Sequence, residues 1–258
     1  QLTETGYVLE KHLFEQWIAD SAVEEGAKLA LKHKLTSMER IENDGTFVGW
    51  KCDGKGEMFP IRSKIVIDAS GVAAVCSRFV KPDGSKPLNE KGKVVAGMQY
   101  ELAEVPTDDY LDFYIWPKYA EKGYLWMIPK CDGRANVGLV TEDRPRAKKA
   151  LDQFIEDTHF SDLSQQLPPW KTKGNPAFGG TIPISGPFEN THYDGLMLIG
   201  DAAGFTSPLF EGGSHLALKS AVFAAETAAT AISNGDVAAK SLENYALLWK
   251  AEFPPYEK

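Results

Sequence analysis

The chain has 258 residues, 43% of them hydrophobic, with a formal charge of -8 and a sequence pI near 5.2. That length can bury a sizeable core, while the acidic balance and the dispersed Lys and Arg argue against a general affinity for nucleic acid. No run reaches the roughly 18 uninterrupted apolar residues of a membrane-spanning helix, and Cys52, Cys76 and Cys131 lack the spacing of a zinc site or a disulfide framework, so a reducing, cytoplasmic setting is expected.

The opening Gln1-Leu2-Thr3-Glu4-Thr5-Gly6 leads almost at once into a helical pattern, and the expectation is that a segment upstream has been removed. Leu13, Phe14, Trp17, Ile18, Ala22 and Val23 recur at three- and four-residue intervals before Gly26, which predicts an amphipathic helix packed on a core. Three β-type runs follow near 28–37, 46–51 and 57–68, separated by the turn signals Asn43-Asp44-Gly45 and Asp53-Gly54-Lys55-Gly56. They predict a small antiparallel ribbon feeding a strand. Its end, Ile65-Val66-Ile67, is continuously apolar, as in a strand buried on both faces, and runs into Asp68-Ala69-Ser70-Gly71 before a short helix.

Residues 93–184 change texture, with short aromatic-rich runs at 94–102, 110–116, 124–129 and 135–140 and a helical stretch near 145–158. This predicts an antiparallel sheet domain. Beyond Pro183 the α/β texture returns: Gly195-Leu196-Met197-Leu198-Ile199 reads as a buried strand, a small-residue helix spans about 213–233, and a last helix spans about 238–251. The fold class is therefore α/β (α+β overall), an open α/β domain interrupted by an antiparallel sheet.

The densest chemical signal is Leu198-Ile199-Gly200-Asp201-Ala202-Ala203-Gly204-Phe205-Thr206-Ser207-Pro208-Leu209-Phe210-Glu211-Gly212-Gly213. It passes from strand through loop to helix, a layout that suits a large phosphorylated cofactor. Gly200 and Gly204 permit close backbone approach, and Asp201 at the strand end can accept hydrogen bonds from sugar hydroxyls. Gly212-Gly213 opens a helix whose unpaired N–H groups and positive dipole end stabilise negative charge.

This run is similar to the second FAD fingerprint of flavoproteins with the p-hydroxybenzoate hydroxylase type of fold. The resemblance implies that Asp201 contacts the ribityl-pyrophosphate region, that Gly200, Ala202, Gly204 and Pro208 line the cofactor, and that the helix from Gly212 and Gly213 faces the isoalloxazine. Tyr124-Leu125-Trp126-Met127-Ile128-Pro129, followed by Gly138, resembles the YxWxFP…G motif of the geranylgeranyl reductase family, with Ile128 in place of the family's Phe. By that resemblance Tyr124, Trp126 and Ile128, with Trp116 nearby, border the substrate cavity; on periodicity alone they equally form a sheet core. Val66-Ile67-Asp68-Ala69-Ser70-Gly71 resembles the family's strand-end segment, which often reads A-D-G; it implies a cofactor contact at Asp68 or Ser70, although Ser70 also suits a helix N-cap. Lys11, in Tyr7-Val8-Leu9-Glu10-Lys11-His12-Leu13-Phe14, stands where the family has a basic residue near FAD.

The resemblance implies a Rossmann-like FAD-binding domain, incomplete, at 1–92 and 185–258 and a substrate domain at 93–184. The family's opening βαβ unit with G-x-G-x-x-G has no counterpart here, since Gly54-Lys55-Gly56 lies in a polar turn, and the family continues beyond Lys258. An internal fragment or partial gene is the expectation. The implied reaction is reduction of C=C bonds in a polyprenyl lipid, with FAD as hydride carrier and NAD(P)H or a ferredoxin as electron source. Tyr124 and His215 are the candidate proton donors, and a lipid substrate implies contact with a membrane surface. A flavin monooxygenase or halogenase, a quinone-linked electron-transfer flavoprotein, and a fragment without catalysis of its own are the alternatives.

Overall fold

The computed structural model describes residues 7–80, 93–103, 105, 110–158, 177–207 and 212–253. The chain divides into two compact units, residues 1–29 with 95–181 and residues 30–94 with 182–258.

The first unit is built on a five-stranded sheet in the order β6-β7-β8-β5-β9, with β5 Val94–Leu102, β6 Asp112–Tyr114, β7 Tyr124–Pro129, β8 Ala135–Thr141 and β9 Phe178–Pro183. The pairings of β5 with β8, β8 with β7 and β7 with β6 are antiparallel. Alternation sorts the side chains by face. Leu125, Met127, Val137 and Leu139 bury against Leu151, Phe154 and Ile155 of helix α2, Ala147–Glu156. Asp132 and Gly133, both at positive φ, make the two-residue turn between β7 and β8, a conformation that Asp-Gly adopts readily.

Helix α1, Lys11–Glu24, departs from expectation. It groups with the sheet unit rather than with the α/β segments, and it buries none of its side chains. Trp17, on the face expected to meet a core, is 64% exposed, so that face is open among the described residues. What anchors the helix is the residue before it. Glu10 enters a closed ring of two acids and two bases: Lys130 Nζ lies 2.6 Å from Glu10 Oε2 and 3.2 Å from Glu101 Oε2, and the Arg134 guanidinium lies 2.7 Å from Glu10 Oε1 and 2.8 Å from Glu101 Oε1. The Lys130 side chain is only 7% exposed, so its charge needs this company.

The second unit begins with β1 Lys34–Asn43, β2 Thr46–Lys55 and β3 Ile61–Ser63, an antiparallel sheet in that order. The run expected at 57–68 splits, because its second part, β4 Val66–Asp68, leaves the ribbon and pairs in parallel with β11, Leu196–Leu198; β10, His192–Tyr193, flanks β11. The first run starts at Lys34 rather than near 28, and β2 continues to Lys55 through a segment expected to turn. β11 is buried throughout, whereas Ile67 of β4 is 39% exposed, so the double burial expected there is not met among the described residues. Helices α3, Ser214–Asn234, and α4, Glu243–Glu252, complete the unit, and Trp249 and Phe253 pack on Phe205. No helix among the described residues is long and apolar enough to cross a membrane.

Hydrogen bonding to Lys130 holds the Glu10 carboxyl below its ordinary value of 4.5, with Arg134 acting in the same direction and partial burial opposing both. A carboxyl depressed on folding contributes fully above its unfolded value and loses that contribution as pH falls through its folded one. Glu10→Gln should therefore cost about 1–2 kcal/mol near neutrality and little near pH 3, measured by urea unfolding at the two pH values. An equal loss at both would show that the ring's charge does not hold the helix.

Candidate functional site

In the second unit, Ile199 follows β11 and its N–H donates to the Asp68 carbonyl at 3.0 Å, tying the ends of the two parallel strands together. The chain then makes a 3-10 turn, Gly200–Ala203, closed by Gly204 in the left-handed conformation. The Gly200 N–H donates to Ser220 Oγ of α3 at 3.1 Å, and the buried Tyr245 of α4 donates to the Leu198 carbonyl at 2.6 Å; burial raises the phenol's pKa. The loop is thus held from strand and helices alike.

The two turn glycines serve the chain's own packing, whereas the sequence suggested room for a ligand. A Cβ on Gly204, at φ +78°, would lie 2.3 Å from the Gly186 carbonyl oxygen, and one on Gly200 would lie 3.1 Å from Ala217 Cβ. Ala202 is fully buried beside them. The open positions come later in the run. Among the described residues nothing lies within 4 Å of a Cβ built on Gly212, and a Cβ on Gly213 would meet Asp201 Oδ1 at 3.0 Å. The Asp201 carboxylate therefore overhangs the start of α3, where Thr206 Oγ1 lies 3.5 Å from it. Pro208 lies outside the described residues.

Among the described residues, helix α3 starts after Gly213 with no side-chain cap and no acid in its first turn. Twenty-one residues of aligned peptide dipoles therefore end at a residue, Gly213, that brings no capping side chain of its own. Such an end, beside a carboxylate suited to sugar hydroxyls and next to a position without side chain, fits the negatively polarised edge of a flavin with its ribityl chain. His215 lies in this first turn and is exposed.

Asp68 is 2% exposed, and its two oxygens accept the backbone N–H groups of Ser70 at 2.9 Å and Cys76 at 2.7 Å, so the carboxylate folds the loop after β4. Ser70 precedes the 3-10 turn Gly71–Ala73 without capping it through its side chain; its Oγ instead accepts the Val75 N–H at 2.7 Å where a second 3-10 turn begins. Burial, with the Asp68 carboxylate beside it, pushes the Cys76 thiol up, leaving it inert. Lys11 opens α1 in the other unit, is exposed, and pairs with Glu15 at 3.5 Å; its neighbour Glu10, which carries the charge ring, has no motif to mark it.

In the first unit the face opposite the core carries the aromatics of the predicted motif. Phe113 and Tyr124 meet edge to face with centroids 5.7 Å apart, and Tyr124 and Trp126 lie 5.9 Å apart. Phe113 and Trp126 are direct cross-strand partners, and Ile128 follows on the same face opposite Asn136. Trp116 does not join them. It packs on Tyr119 at 5.3 Å and Phe154 at 6.2 Å, on the side of the core.

A family model for the geranylgeranyl reductase catalytic domain matches residues 94–167. The chain is 34% identical over 254 residues to a digeranylgeranylglycerophospholipid reductase of Methanocaldococcus jannaschii, covering 97% of this chain and 62% of that protein. Residues 94–167 thus carry the catalytic-domain pattern of the geranylgeranyl reductases. A reductase of the same name from Methanosarcina acetivorans is 35% identical over 256 residues, covering 96% of this chain and 59% of that one. Among solved structures, a geranylgeranyl bacteriochlorophyll reductase-like protein from Thermoplasma acidophilum superposes with a TM-score of 0.80 at 30% identity, over 98% of this chain and 62% of that chain. A flavin-dependent brominase, at TM-score 0.65 and 20% identity over 95% of this chain and 61% of its own, shares the fold alone. The chain spans 62% and 59% of the length of these two curated relatives.

If Asp68 is structural, Asp68→Ala strands two backbone donors in the interior and should cost about 2–4 kcal/mol. Thermal unfolding should then move down by about 5–10 °C. A variant melting with the wild type would return Asp68 to the ligand-binding candidates.

Proposed function

We propose that the protein is a flavin-dependent reductase that saturates C=C bonds of geranylgeranyl or related polyprenyl lipids. The observation that carries this reading is the start of α3: opened by Gly213, with no acid among the residues of its first turn, and with the Asp201 carboxylate beside it. Asp201 would hold the ribityl-pyrophosphate region of FAD, and the first turn of α3 would stabilise negative charge on the ring. When bound, the reduced flavin supplies a hydride to one alkene carbon, and a proton added to the other completes the saturation. The likeness supports the choice of substrate, because the similar archaeal proteins are named digeranylgeranylglycerophospholipid reductases.

The protein's part is placement and dryness. The row Phe113, Tyr124 and Trp126 offers an apolar, polarisable surface to a prenyl chain, which has no hydrogen-bonding group with which to orient itself. Tyr124 within that row and His215 on the first turn of α3 are the two candidate proton donors.

Anaerobic titration tests the reading. The purified protein, loaded with FAD and reduced with dithionite, should be reoxidised by a geranylgeranyl glycerophospholipid, whose mass rises by one H2 for each bond saturated. Gly213→Asp, which puts a carboxylate at the helix start, should weaken flavin binding at least about tenfold. Failure to retain flavin, or a reduced flavin that the lipid leaves unchanged, overturns the reading.

A further inference from the structure

We propose that Gln99 is a positioning residue that fixes the Trp126 indole and thereby sets the depth of the aromatic face on which a prenyl chain lies; this rests on the reading of that face given above. Gln99 on β5, Gly138 on β8 and Trp126 on β7 are direct neighbours across three adjacent strands. A Cβ at Gly138 would come within 2.5 Å of the indole's Cζ2 and 2.6 Å of Gln99 Cβ. The indole therefore lies down across the bare backbone of Gly138 and reaches β5, where its Nε1–H donates to Gln99 Oε1 at 3.1 Å. An indole nitrogen can only donate, and in a half-buried apolar site it needs an acceptor.

Without that acceptor the flat orientation leaves a part-buried donor unsatisfied, which costs more than the hydrogen bond's own net contribution. The indole is then free to stand away from Gly138 into the space above the sheet, beside its cross-strand partner Phe113, which is itself exposed. A raised indole takes up the volume a chain would fill. Gln99 supplies the acceptor without charge, so the lock adds no ion to an apolar surface. Its role passes wholly through Trp126, which makes it separable from a residue that merely supports the sheet.

The test is a double-mutant cycle on the flavin-loaded protein, using Gln99→Met, Trp126→Phe and the pair, with a geranylgeranyl glycerophospholipid as substrate. Gln99→Met should raise KM about tenfold while kcat stays within about twofold. Its melting temperature should stay within about 3 °C of the wild type. In the Trp126→Phe background the same substitution should change nothing further, because the group it positions is gone. The indole N–H proton resonance assigned to Trp126 should also shift and exchange faster in Gln99→Met. An unchanged KM, or a penalty that persists undiminished in the Trp126→Phe background, overturns the proposal. Failure of the underlying functional reading is distinguishable, since it appears in the wild type as a reduced flavin that the lipid does not reoxidise.

Discussion

In the α/β unit the constraint on which the rest depends is the turn at Asp194-Gly195. The buried Trp50 indole donates to both carbonyls of the turn at 3.1 Å, the Val66 N–H donates to the Gly195 carbonyl at 2.8 Å, and the Gly195 N–H donates to the Val237 carbonyl at 2.7 Å. The Asp194 carboxylate accepts from Arg40 at 2.9 Å and from the Ala239 N–H at 2.8 Å. One turn thus joins the ribbon, the parallel pair and the chain beyond α3. Gly195 sits at φ +55°, and a Cβ there would strike the Phe47 ring at 2.6 Å, so neither its conformation nor its space admits a side chain. Because β11 starts from this turn, the register of the fingerprint loop follows from it.

The sheet unit works by a different rule. Strict alternation sends one set of side chains into the core with α2 and leaves the other on the opposite face, so the aromatic row needs no cavity of its own to be assembled. Charge then fixes what alternation cannot. The ring of Glu10, Glu101, Lys130 and Arg134 holds the segment before α1 by ion pairs, which explains how a helix with no buried side chain keeps its place.

Much was legible in local pattern. β7 spans Tyr124–Pro129 and β5 spans Val94–Leu102, as alternation predicted, and α3 spans Ser214–Asn234 within a residue of its expected limits. The helix near 145–158 and the Asn43-Asp44-Gly45 turn also stand where expected, because both are set by neighbours close in the chain. β9 carried too little periodicity through Gly179 and Gly180 to be read. The three- and four-residue spacing placed α1 as a helix, but spacing does not say whether anything described covers its apolar residues.

By itself, then, the amino-acid order determined the types and spans of the main elements, the candidate cofactor loop and the aromatic motif, since each depends on residues within a few positions of one another. Only the tertiary structure decided what those residues do. Asp68 turned inward to two backbone amides, Gly204 answered to Gly186, Trp116 went to the core side while Trp126 lay across Gly138, and Gln99 became its acceptor. Each of these depends on strand register or loop closure between distant residues, and a one-residue slip would send every strand side chain to the other face.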